Sequence, residues 1–150
     1  MANAILWQTT PTSRGTVLTT QLDGLANNAW SGVGTEINNS SNLDQWGMLE
    51  VSLASLNPVA NQTLQFYMSQ APGGTNYEDP ASSTNPAPHQ LVATLVLTSG
   101  SATKLVSSAW FRLPPCKIKF VGQNVLIASG VALGATGNTV TLYTDNDEIQ

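Results

Sequence analysis

Apolar and polar residues take turns along most of this chain, and that two-residue rhythm limits its folds more than any other feature. In "MLEVSLASL", Leu49, Val51 and Leu53 share one side while Glu50 and Ser52 take the other. "LQFYMS" sets Leu64, Phe66 and Met68 against Gln65, Tyr67 and Ser69, and "KIKFVG" sets Ile118 and Phe120 against two lysines. Successive side chains of a strand point to opposite faces, so this alternation predicts half-buried strands. "LVATLVLT" (91–98) is apolar on both faces, as expected of a central strand. "KLVSSAWFRL" (104–113) gathers Leu105, Ala109, Phe111 and Leu113, and "VLIASG" (125–130) and "TVTLYT" (139–144) complete the set.

Glycine-bearing joints such as "APGGTN", "TSGSA", "VGQN" and "GATGN" supply turns between these runs. Short strands separated by turns at this spacing predict an all-β, antiparallel β-sandwich, jelly-roll-like in its connections. The expected core is Leu49, Val51, Leu53, Leu64, Phe66, Leu95, Leu97, Phe111, Ile118, Phe120 and Leu142. At most a short helix is expected near 19–27, where Leu18, Leu22 and Leu25 fall at helical spacing but Gly24 intervenes. The first residues, through "PTSRG", lack alternation. They divide the chain into an extended N-terminal arm, 1–15, and a single β-sandwich domain, 16–150.

Charged residues make up 9% of the chain, well below the usual quarter or so. Ser, Thr and Asn supply the polarity instead, which suits strands and turns better than helices. The net charge is -4, and the five basic residues (Arg14, Lys104, Arg112, Lys117, Lys119) are spread out. Binding to nucleic acid needs several cations together, so it is not expected. The single cysteine, Cys116, can form no intramolecular disulfide and is expected to be a small buried residue. The start lacks the features of a signal peptide, and no apolar run approaches the ~18 residues of a membrane span. A soluble protein made in the cytoplasm is expected, with no membrane partner.

The stretch "TNYEDPASSTNPAPHQ" (75–90) holds the only histidine, His89, beside the adjacent carboxylates Glu78 and Asp79. One imidazole supports neither a two-histidine metal site nor an HExxH motif, and no G-x-S-x-G elbow is present. Adjacent carboxylates in extended chain point apart, unlike a glycosidase pair. "YTDNDEIQ" lacks the glycine and the distal glutamate of a calcium loop, and reads as a frayed acidic terminus. No catalytic residue, metal or cofactor is expected. Trp30, Trp46 and Trp110 leave open a carbohydrate-binding alternative, because flat aromatic faces stack on sugars; aromatic residues of β proteins more often fill cores and interfaces.

Several pieces, in order over about residues 16 to 145, resemble small tailed-bacteriophage virion proteins. "LTTQLDGLANNAWSGVGTEINN" resembles the opening of that group. Asp44-Gln45-Trp46-Gly47-Met48-Leu49-Glu50-Val51 resembles its next strand, and Gly73-Gly74-Thr75-Asn76-Tyr77-Glu78-Asp79 a following loop. Leu113-Pro114-Pro115 through Phe120 and Asn124 resembles the last piece. Gly73 stands where the group favours aspartate, so no role of that acid carries over. The resemblance implies a non-enzymatic capsid decoration or cement protein that binds the major capsid protein, and virion localisation on the capsid surface after synthesis in the host cytoplasm. A tail or head-fibre component is the alternative. It further implies a homo-oligomer, a trimer ahead of a dimer, because capsid shells offer local three-fold positions. The arm and the 71–90 loop are then the expected contacts, with Trp7, Arg14, Tyr77, Glu78, Asp79 and His89 as partner-binding residues.

Overall fold

A computed structural model describes residues 5–7, 10–54, 62–78, 90–98, 104–125 and 131–149. Among them run strands β1 (Ile5–Trp7), β2 (Thr12–Leu18), β3 (Ile37–Asn38), β4 (Trp46–Leu53), β5 (Thr63–Ala71) and β6 (Leu91–Val96). The second half supplies β7 (Lys104–Ser107), β8 (Phe111–Arg112), β9 (Lys117–Val125), β10 (Thr139–Asp145) and β11 (Asp147–Ile149). The helical elements described are short, a 3-10 turn at Thr20–Leu22 and a single turn, α1, at Asn39–Asn42.

The pairing has one simple rule. β1 pairs with β11, β2 with β10, β3 with β9, β4 with β7 and β8, and β5 with β6, every pair antiparallel. The first half of the chain therefore runs against the second half in reverse order, as one long ribbon. Two further pairings, β4 with β10 and β5 with β9, join successive coils of that ribbon. The outcome is two larger sheets, β2-β10-β4-β7 with β8 beside β4, and β3-β9-β5-β6, besides the two-stranded β1-β11. A ribbon rolled in this way is a jelly-roll sandwich.

The sheets enclose one apolar core. β4 buries Leu49, Val51 and Leu53 at alternate positions, and β5 buries Leu64, Phe66 and Met68. Leu95, Leu97, Ile118, Phe120 and Leu142 join them; Phe111 is half-buried at the margin. The 3-10 turn drops Leu22 onto the same core. Buried amides close the sandwich at one end. Asn124 donates to the carbonyls of Leu25, Ala26 and Val131, and accepts from Gln62 Nε2 at 2.7 Å.

Four sequence expectations change. "LVATLVLT" is not central: β6 is an edge strand, with Leu91 40% and Val96 57% exposed. "KLVSSAWFRL" is not one strand. Ser108 breaks it by hydrogen-bonding Leu49 N through its hydroxyl while its own N–H binds Leu49 O, and Leu105 and Ala109 face solvent. "VGQN" is no turn but the interior of β9, where Gly122 lies so close to the Phe66 ring that an added Cβ would sit 3.2 Å from it. The acidic C-terminus is not frayed, since Asp145 ends β10 at 5% exposure and Asp147 begins β11.

The arm boundary at residue 15 falls inside β2. Arg14 and Gly15 together oppose Leu142 in a bulge, with Gly15 at φ +91. A bulge inserts one residue and throws the alternation out of phase, which is why the stretch looks irregular in sequence. Of "VLIASG", Val125 alone lies within the described residues.

Candidate functional site

The second sheet carries a cluster of interacting side chains at the base of the β5–β6 connection. β9 points Lys117 and Lys119 to the solvent side, because Ile118 and Phe120 take the core side. Glu36 precedes the short strand β3, which lies beside β9 with Asn38 opposite Lys117. Lys117 Nζ stands 3.0 Å from Glu36 Oε1, both partly exposed. Tyr77 reaches over from the connection: its hydroxyl donates to the Glu36 carboxylate, and Lys119 Nζ lies 4.2 Å from its ring centroid.

The backbone of the connection is fastened to β5 at the same place. Gly74 N donates to Ala71 O at 2.9 Å in a turn that needs the positive φ of Gly74 (+81). Glu78 N donates to Gln70 O at 2.9 Å, and the Ser69 hydroxyl donates to Glu78 O. Gln90 Nε2 then donates to Glu78 Oε2 at 3.1 Å. The chain thus departs after Glu78 and returns at Gln90 at points joined by a hydrogen bond.

Electrostatics follow from these contacts. The hydrogen bond from Tyr77, then that from Lys117, hold the Glu36 carboxyl below the usual glutamate range. Partial burial and the Glu36 carboxylate push the Tyr77 phenol above its ordinary range. The Glu36 contribution has a definite sign with pH. A depressed carboxyl stabilises the folded form above its unfolded pKa, and that support fades as pH falls through the lowered folded value. Tyr77→Phe is expected to remove the leading cause, so the Glu36 midpoint should rise toward the ordinary glutamate range while Lys119 keeps its ring contact. A side-chain NMR titration of Glu36 reads this directly; an unmoved midpoint would show that the phenol does not bind there.

The expected contact residues separate. Tyr77 and Glu78 belong to this cluster, whereas Asp79 and His89 lie outside the described residues. Trp7 falls in β1, and its side chain is not among those described. Arg14 is elsewhere, in β2 of the other sheet, where Nε and Nη2 each lie 2.6 Å from the two carboxylate oxygens of Asp44. Arg14 is thus paired within the chain, with its side chain 27% exposed. Glu36, Lys117, Lys119 and Gln90 were not singled out by sequence reasoning. The "KIK" alternation did place both lysines on one solvated face, but not the tyrosine that would sit above it.

The described tryptophans are not core residues. Trp30 packs its ring on Tyr67, centroids 5.1 Å apart and planes tilted by 58°. Trp46 is half-buried under the Arg112 guanidinium at 4.3 Å, and Trp110 is 37% exposed. Cys116 is buried among the core residues, and that burial pushes its thiol pKa up. Among the described residues no three His, Cys, Asp or Glu side chains gather to hold a metal, and no helix is long and apolar enough to cross a membrane. Comparison with protein-family models, with curated proteins and with solved structures finds no match to this chain.

Proposed function

We propose that this protein is a non-enzymatic virion component of a tailed phage, a decoration or cement protein that binds the major capsid protein on the capsid surface. The observation that carries the reading is the loop base. A long connection with both ends tied together on a rigid sheet has little chain entropy left to lose at its stem, which favours contact with a large surface. Its sequence over 79–89 holds one acid and no lysine or arginine, so few ions need be desolvated on contact. The ordered resemblance to virion proteins supplies the partner. Binding by several copies at once multiplies modest contacts, and a closed homo-oligomer, trimer or dimer, belongs to the proposal.

The test replaces residues 79–89 by a short Gly-Ser link. The β circular dichroism spectrum is expected to persist, because the pairing of β5 with β6 and β9 does not use those residues. Co-sedimentation with undecorated capsids should fall about tenfold or more, as expected when multivalent contacts are lost. Undiminished binding would remove the loop from the contact.

A second reading is favoured by Trp30 and Tyr67. Their tilted rings lie on the solvent side of the second sheet, with Gln65 accepting from the Tyr67 hydroxyl at 2.8 Å. Aromatic faces beside an amide are the chemistry that recognises a neutral sugar. Quenching of tryptophan fluorescence by a saccharide panel, lost in Trp30→Ala, would move the assignment to carbohydrate binding.

A further inference from the structure

The sandwich has four lateral edges among its described strands, and three carry devices that discourage further pairing. β2 is bulged and bears Arg14, β3 has two residues, and β7 is four residues long and starts with Lys104. Short length, bulges and charges are how edge strands are kept from adding a neighbour. β6 lacks them over Ala93–Val96, where its pairing with β5 is regular, and its bulge is confined to Val92 near its start. Its six residues contain no charge, no proline and no glycine, and Leu97 N continues the ladder onto Gln62 O. At the bulge Val92 is the extra residue between the Tyr67–Leu91 and Phe66–Ala93 pairs. Among the described residues no strand pairs with its outer side.

We propose that β6 is the self-association surface of this protein, pairing antiparallel with β6 of a second copy across a two-fold axis. The alternation fixes the register. Thr94 and Val96 face solvent, whereas Ala93, Leu95 and Leu97 face the core. Centring the axis on Leu95 sets Leu95 against its own counterpart, Thr94 against Val96, and Ala93 against Leu97. Inner faces then meet inner faces, and two four-stranded sheets become one continuous sheet. Slipping by one residue would oppose core-facing and solvent-facing side chains and is excluded by the pleat. Charge also selects this edge: copies carrying a net -4 repel one another in general, but the segment 91–98 brings no charge to the contact. The pairing covers Val96, which is 57% exposed in the single chain. Strand addition at one edge buries less than a standard-sized interface, so a dissociation constant on the order of micromolar is expected. The inference stands on β6 alone and does not require the virion reading.

Sedimentation of the purified chain, without capsids, tests it. The wild type is expected to reach the mass of two protomers between about 1 and 200 μM. In T94K/V96K each new lysine stands opposite another across the axis, and in T94E/V96E each new glutamate does. Both variants change exposed positions, so their spectra and melting should match the wild type, while dimerisation weakens about 100-fold or more. An equimolar mixture of the two variants should restore a two-protomer species. A wild-type monomer throughout that range, a mass of three protomers, a variant that dimerises like the wild type, or a mixture that stays monomeric would each overturn the proposal.

Discussion

Arg14→Ala is expected to destabilise the fold by about 3–5 kcal/mol, among the largest losses open to a single polar substitution here. The reason is Asp44, whose side chain is 2% exposed and faces the guanidinium through two 2.6 Å contacts. Removing the cation leaves a desolvated carboxylate. The remaining donor toward it, Asn146 Nδ2 at 3.5 Å, is too distant to replace a bidentate partner. The backbone cannot relax away either, since Asp44 N and O are both tied to the Asn39 side-chain amide. The Arg14 side chain is 27% exposed, so its own hydration offsets part of the pair's value. For that reason Asp44→Ala should cost less than Arg14→Ala. Arg14→Met with Asp44→Leu should recover most of the loss, because an apolar pair needs no partner charges. Urea unfolding with an unchanged m-value measures all three. Equal stability of wild type and Arg14→Ala would mean that the pair is not formed.

This pair also shows what the sequence could not announce. Arg14 and Asp44 are thirty positions apart, and β2 conceals its strand character behind the Gly15 bulge. Where alternation is unbroken, as in β4, β5 and β10, the strands and their buried faces were legible, because a period of two leaves one choice of face. Where a glycine or a serine side chain intervenes, the pattern misleads. Gly122 resembles a turn residue, yet it sits inside β9 to make room for Phe66 and Leu22. Ser108 resembles an ordinary strand residue, yet its hydroxyl intercepts the ladder. Gly34 is the strictest case. A Cβ there would stand 2.3 Å from Val17 O, so the residue is glycine for space between strands.

The candidate site was legible in part for the same reason. The 71–90 connection stood out because it breaks the rhythm on both sides, and Tyr77 and Glu78 fall where it meets the sheet. The partners of Tyr77, Glu36 and Lys119, come from segments far away in sequence, which the jelly roll brings together by pairing β3 with β9. Register across such non-local pairs depends on the whole rolled ribbon, not on any local signal. The edge position of β6 was likewise hidden. A strand apolar on both faces is read as central, but an edge that pairs with another copy has the same composition.

Phe120→Ala should cost about 3–5 kcal/mol, the range for emptying a buried aromatic site. Phe120 is fully buried in β9, opposite Met68 of β5, and its ring meets Phe111 edge-on with centroids 6.2 Å apart. Phe111 pairs beside Gly47 of β4 in the other sheet, so this one contact spans the two sheets. Collapse into the vacated space is restricted. The backbone on either side is held by the β5 ladder, and Phe120 O accepts from Gly34 N at 2.9 Å. A site that cannot close keeps its cavity, and the cost then lies toward the upper end of the range. Phe120→Leu retains more apolar volume and should lose less, while Lys119→Ala, next along the strand but on the solvent side, should change stability by under about 0.5 kcal/mol. The contrast between positions 119 and 120 is the measurement. If denaturant unfolding found the two alanine variants alike, the inward and outward faces of β9 would be wrongly assigned, and with them the packing of one sheet on the other.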